Sequence, residues 1–189
     1  RTDAREKFID FLFKHSDQSK AVSESYLLAT EFVASQKFRE AQTVLTRIES
    51  VVGEDPEFFL LQGRIHEGTN ARGMALRDLH RAADLFKAKN ETERWRETLR
   101  QILRVDPYNV DAPEELIRHL EAAGEIEEAL AVILQLADGY ESRQLLDFAE
   151  GEYRRALRLK PDADDIWKKL LSVRVRIAIP EAVTSVRGL

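Results

Sequence analysis

The chain has 189 residues, 43% of them apolar and 33% charged, with 8 Gly, 5 Pro and no Cys. This composition excludes a collagen-like or disordered chain, and the lack of thiols excludes disulfides, cysteine nucleophiles and cysteine-rich zinc sites. A net charge of -5 gives no general pull toward nucleic acid or anionic lipid, and no apolar run reaches the ~18 residues that a membrane helix needs.

The chain opens on Arg1 without a methionine, so an excised domain or a processed chain is expected; its first residues do not show the basic, apolar and small-residue succession of a signal peptide. The compartment is left open, with the cytoplasm slightly favoured. Apolar residues then recur three and four apart with no sustained alternation, which predicts helices throughout. Phe8, Phe11 and Leu12 mark a first helix. Ser23 precedes a second at Tyr26, Leu27, Ala29, Phe32 and Val33, and Phe38, Ala41, Leu45, Ile48 and Val51 line a third that Gly53 and Pro56 close. A fourth carries Phe59, Gly63 and His66 and stops at Gly68 and Asn70. Leu76, Leu79, Ala82, Ala83 and Phe86 follow, then Trp95, Leu99, Ile102 and Val105 up to the break VDPYN. Leu116, Ile117 and Leu120 lead to Gly124, a residue suited to a left-handed helix end. Ala129, Ile133, Leu136 and Ala137 form the next helix, and Leu145, Ala149, Tyr153, Ala156 and Leu159 the one after. Ile166, Trp167, Leu170, Leu171 and Ile177 form the last, which Pro180 is expected to end.

These segments superimpose at two offsets. Ala29 to Gly63, Ala41 to Ala75 and Leu45 to Leu79 are 34 apart, whereas Gly63 to Ile117, Ala75 to Ala129, Leu99 to Tyr153 and Pro107 to Pro161 are 54 apart. Small residues recur where antiparallel helices approach closely, with large residues one turn away to fill the groove. The offsets favour three-helix units of about 51 to 54 residues over interrupted two-helix hairpins.

Phe59, Gln62, Gly63, His66, Ala75, Leu79, Ala82 and Leu85 resemble the large, small and aromatic positions of the tetratricopeptide repeat (TPR) family. Leu28, Ala29, Phe32, Phe38, Ala41, Leu45 and Ile48 repeat that pattern, as do Leu116, Gly124, Ile126, Ala129, Ile133 and Leu136, with Ile117 in a usually small position. The resemblance implies an all-α fold, an α-α superhelix built as a right-handed solenoid of antiparallel helix hairpins. It places an N-terminal helix and linker at 1–20, the TPR-like domain at 21–177 and a C-terminal tail at 178–189.

Catalytic and metal chemistry find no support. His15, His66, His80 and His119 are scattered without a metal-binding pair, and His66 reads as a packed or hydrogen-bonded core residue. The pairs Glu127/Glu128 and Asp164/Asp165 point about 100° apart on a helix, which does not make a general acid–base site. No phosphate-cradling or nucleophile-elbow motif occurs. We therefore expect a chain that is not an enzyme, with no catalytic residue, cofactor or metal.

The charge is blocky: nine basic and five acidic residues from Arg72 to Arg104, eleven acidic and two basic from Glu114 to Glu152, and eight basic and three acidic from Arg154 to Arg176. The resemblance places Tyr26, Thr30, Val33, Leu60, Arg64, Glu67, Glu114, Arg118, Glu121, Lys168 and Ser172 on the inner surface of the superhelix. There they would bind an extended or helical segment of a partner protein, the acidic run favouring a basic segment. A self-associating structural module is the alternative, with Phe8, Phe11 and Phe13 as an association surface. Nucleic acid along the arginines of 94–104 is a weaker one, because Trp95 and Trp167 fall on core positions rather than on stacking platforms.

Overall fold

The computed structural model describes the backbone of residues 2–15 and 17–187 and the side chains of residues 4–15 and 17–179. Among the described residues there are ten α-helices and no strand. They are α1 (Thr2–Lys14), α2 (Gln18–Ala34), α3 (Phe38–Val52), α4 (Pro56–Gly68), α5 (Arg72–Ala88), α6 (Thr92–Val105), α7 (Asp111–Ala123), α8 (Ile126–Ser142), α9 (Leu146–Leu159) and α10 (Asp164–Arg187). The fold is an all-α helical repeat, and no described helix is long and apolar enough to cross a membrane.

Helix ends follow local chemistry. Asp17 starts α2 by accepting the Lys20 amide at 3.3 Å, so this helix begins ahead of Ser23, where the sequence pattern starts it. Asp55 accepts the Glu57 amide at 2.9 Å in front of Pro56, whose missing N–H costs nothing in the first turn. Pro180 does not end α10, which runs on to Arg187 and forgoes the one hydrogen bond that an imino nitrogen cannot donate. Most of the expected tail is therefore helical; Arg1 and residues 188–189 lie outside the described residues.

The 54-residue offset is written in the backbone. Helix lengths run 13, 17, 15, then 13, 17, 14, then 13, 17, 14 from α1 to α9. Gln36, Asn90 and Gln144, each 54 after the last, carry φ of 58°, 58° and 60°. The residue after each closes the turn onto an aromatic residue's carbonyl: Lys37 onto Phe32 at 2.8 Å, Glu91 onto Phe86 at 2.9 Å and Leu145 onto Tyr140 at 3.0 Å. The turns before α2, α5 and α8 match as well, with Asp17, Ala71 and Glu125 closing onto Leu12, His66 and Leu120 at 3.1, 2.8 and 2.9 Å. In the turns after α2, α4, α5, α7 and α8 this six-to-one bond spans a left-handed residue and satisfies carbonyls that a helix end would otherwise orphan. Turns this short force neighbouring helices to run antiparallel.

The chain divides into two compact units, Arg1–Val105 and Asp106–Leu189. In the first, α2 packs on α1, α3 and α4, and α5 packs on α4 and α6. Its core gathers Ile9, Leu28, Phe32, Leu45, Ile48, Phe58 and Leu61, and burying one such side chain stabilises by roughly 1.5–3 kcal/mol. Gly63 is fixed by packing, because a Cβ there would lie 2.8 Å from Leu79 of α5. Gly68 is fixed likewise by the ring of Phe38. In the second unit α8 lies against α7 and α9, and α10 against α9, around Leu116, Ile117, Ile133, Ala137, Tyr153, Ile166 and Leu170.

Candidate protein-binding surface

The first helix of each three-helix unit carries most of the residues proposed to meet a partner. In α4, Arg64 and Glu67 lie one turn apart and both reach α6. Arg64 donates to Gln101 Oε1 at 3.2 Å and to Glu97 at 3.3 Å, while Gln101 Nε2 donates to Glu67 at 2.9 Å. Gln101 is 2% exposed, so its amide is satisfied entirely within the protein. Nearby, His66 Nδ1 sits 2.6 Å from Asp78, which is 6% exposed, so this histidine ties α4 to α5.

The same register returns 54 residues on with different chemistry. Arg155 of α9 stands where Gln101 stands in α6, and it holds Glu114 through one guanidinium nitrogen at 3.0 Å from both carboxylate oxygens. It also contacts Glu121 at 3.4 and 3.3 Å, and Glu152 lies 3.8 Å away. Burial alone would lower the Arg155 pKa, but hydrogen bonds to Glu121 and Glu114 outweigh it and the pKa is raised. Burial and then the charge of Glu114 push the Glu152 carboxyl above its ordinary range, with Arg155 and Arg158 opposing. One Glu152 oxygen is buried without a hydrogen-bond partner. A cleft of about 590 Å³ opens beside this cluster, lined by Glu121, Gly151, Glu152, Arg155, Arg158 and Leu159.

The other expected contacts fall into two groups. Thr30, Arg118, Lys168 and Ser172 are exposed. Leu60 is 1% exposed and is corrected to a core residue, because α4 is covered by α2 and α3 on one side and α5 on the other. Tyr26 and Val33 are half-buried against the first unit's core; burial, then the Asp55 charge, raises the Tyr26 phenol pKa. These two and Thr30 sit on α2, a 17-residue helix in register with α5 and α8, and so do not share a helix type with the others. Trp95 is packed at 5% exposure, but Trp167 is 45% exposed and is corrected from core to surface, its indole donating to the Pro161 carbonyl at 2.9 Å. Phe13 packs inward, while Phe8 and Phe11 remain exposed.

Helix pairs closed by matching turns, with the small Gly63 against the large Leu79, define the architecture. The fold is an all-α helical repeat. Among solved structures the chain is similar to a thermophilic TPR protein of Thermus thermophilus, at 18% identity over 81% of this chain and 98% of that one, with a TM-score of 0.30. It is also similar to the C-terminal part of a TPR repeat-containing protein from Cytophaga hutchinsonii, at 12% identity over 78% and 69% of the two chains, with a TM-score of 0.29. No family model and no curated protein matches the chain. The repeat assignment rests on the chain's own registers.

Two sets of partners escape sequence reasoning. Gln101, Glu97 and Arg155 clasp the first helices from α6 and α9; the 54-residue offset that pairs Gln101 with Arg155 was the available signal. A second cluster joins α8, α9 and α10, where the Tyr153 hydroxyl lies 2.6 Å from Asp138 and 2.9 Å from Glu141. Lys169 binds Asp138 at 2.7 Å and Arg176 pairs with Glu141. Arg94 pairs with Glu57 and Lys160 with Glu127 in the same way.

Proposed function

We propose that this repeat is a protein-interaction module that binds an extended or helical segment of a partner, with basic side chains, through first-helix residues of its second unit. The supporting observation is the convergence of Glu114, Glu121 and Glu152 on the single guanidinium of Arg155, which leaves an acidic cleft with one carboxylate incompletely satisfied. The unit's composition agrees: residues 106–189 hold 17 acidic and 11 basic side chains, a net -6. Such a field speeds encounter with a cationic segment, and Arg118 and Ser172 at the same helical register are open to contribute contacts. TPR-like repeats commonly serve protein interaction, which agrees with this reading and with a non-catalytic role.

The test is affinity capture from the native extract with the purified chain, in parallel with Arg118→Glu and Glu121→Lys. The captured set should change in both variants and thin out between low and moderate salt. An unchanged set in both would remove this surface from consideration.

A further inference from the structure

Each position of α4 and α6 returns 54 residues later in α7 and α9, so the side chains that tie the first pair of helices can be read against those of the second. Between α4 and α6, Glu57 pairs with Arg94, Arg64 donates to Glu97 at 3.3 Å, and Gln101 donates to Glu67 at 2.9 Å. Between α7 and α9 the last of these ties survives, as Arg155 on Glu121. The other two do not. Phe148 stands where Arg94 stood and is 61% exposed, and Gly151 stands where Glu97 stood.

Arg118, the counterpart of Arg64, is therefore left without its carboxylate. It is exposed, and among the described residues it donates to the Glu114 carbonyl at 3.3 Å and forms no ion pair. Glu114 and Glu121 lie one turn either side of it, but Arg155 holds both. Packing does not account for the glycine. A Cβ at Gly151 would meet nothing within 4 Å, unlike one at Gly63 or Gly68, and glycine in mid-helix weakens the helix. Gly151 instead lines the cleft of Glu121, Glu152, Arg155 and Arg158, and leaves it open on the side that Glu97 closes in the first unit.

We propose that a partner's side-chain carboxylate takes the part of Glu97: the segment that enters the cleft carries a Glu or Asp beside its basic residue, and this carboxylate crosses over Gly151 to pair with Arg118. The inference rests on the reading of the cleft as a site for a basic segment and names the second charge that segment carries. Its basic side chain meets the unpartnered oxygen of Glu152, the residue next to Gly151, so opposite charges lie side by side on both surfaces. Arg158, exposed in the same cleft, adds to the positive field on the carboxylate. A uniformly basic segment would set a cation against Arg118, and that repulsion gives the site its selectivity.

The probe is a displayed library of random dodecapeptides selected on the 189-residue chain, followed by fluorescence-polarisation titration of the enriched peptides made synthetically. Enriched peptides should carry an acidic residue together with a basic one. Their Kd should rise at least about tenfold with Arg118→Ala and with Gly151→Glu, which builds the chain's own Glu97 equivalent, while circular dichroism stays unchanged. Arg118→Glu should abolish binding, and replacing the peptide's acidic residue with Lys should restore it. Gly151→Glu should also raise Tm, and by less when Arg118→Ala is present, because the register brings the two positions together. Peptides that Glu121→Lys weakens but that lack an acidic residue, or ignore Arg118→Ala, overturn this inference and leave the reading of the cleft standing. A selection that yields no peptide sensitive to Glu121→Lys overturns both.

Discussion

Arg155 and Gln101 occupy one register and solve one problem in two ways. Each reaches from the third helix of its unit back to a carboxylate on the first, Arg155 to Glu121 and Gln101 to Glu67. The neutral amide suffices beside the single carboxylate Glu67 and the cation Arg64, but three carboxylates crowd Arg155. Arg155→Ala should therefore cost roughly 1–3 kcal/mol in urea melts, and Arg155→Gln distinctly less. Glu152 gives a pH dependence of definite sign. Its folded carboxyl keeps its proton to higher pH than an unfolded glutamate, so ionisation weakens the fold. That penalty is fully present above the folded pKa and is relieved as pH falls through it toward the ordinary glutamate range. Glu152→Gln should raise Tm by about 2–4 °C at pH 7, and the gain should shrink as the pH is lowered into that range. A constant difference across the titration would sink this assignment.

At the scale of elements, the turns are stereotyped while the residues in them are not. Gln36, Asn70, Asn90 and Gln144 all hold positive φ, a conformation that costs an L-residue about 1 kcal/mol and glycine little. Gln36, exposed in its turn, is the cleanest place to test this: Gln36→Gly should stabilise by about 0.5–1 kcal/mol, and Gly124→Ala, at φ 75°, should destabilise by a similar amount. Close approach fixes Gly63 for a different reason. Ile117 occupies the equivalent site in α7, so the helix type tolerates a large side chain there, but Leu79 fills the space opposite Gly63. Gly63→Ile should cost roughly 1–3 kcal/mol by overpacking, and Leu79→Ala in the same chain should relieve part of it, as a double-mutant cycle would show.

Across the whole molecule, the repeat length is the quantity to test, because the sequence offers both 34 and 54. Helices of 13, 17 and 14 or 15 residues succeed one another three times, which favours three helices as the repeating unit. A repeat protein is held by nearest-neighbour contacts, so removal of one whole unit leaves a foldable chain. Deletion of residues 56–109 should give a cooperatively unfolding protein whose helical signal falls in proportion to its length. Deletion of 34 residues, 72–105, removes a second and a third helix and joins two first-type helices; it should broaden or abolish the thermal transition. The reverse result would establish the hairpin as the unit.

The helical class, most helix boundaries and the small-residue registers were legible in the sequence, because each is set within a turn or two by periodicity, capping and glycine or proline chemistry. Ala75, Ala129 and Leu79 were legible as core for that reason. The sequence also carried the 54-residue offset, but could not weigh it against 34, since the same side chains satisfy both; the succession of helix lengths supports 54. The candidate surface was legible in part. Thr30, Arg118, Lys168 and Ser172 are exposed, whereas the burial of Leu60 depends on α2, α3 and α5 closing round α4, and the clasping of Glu114 and Glu121 depends on Arg155, 41 and 34 residues further on. The tertiary structure alone showed Trp167 and Leu171 exposed, because α9 covers the face of α10 that carries Ile166, Leu170 and Val173 and not theirs.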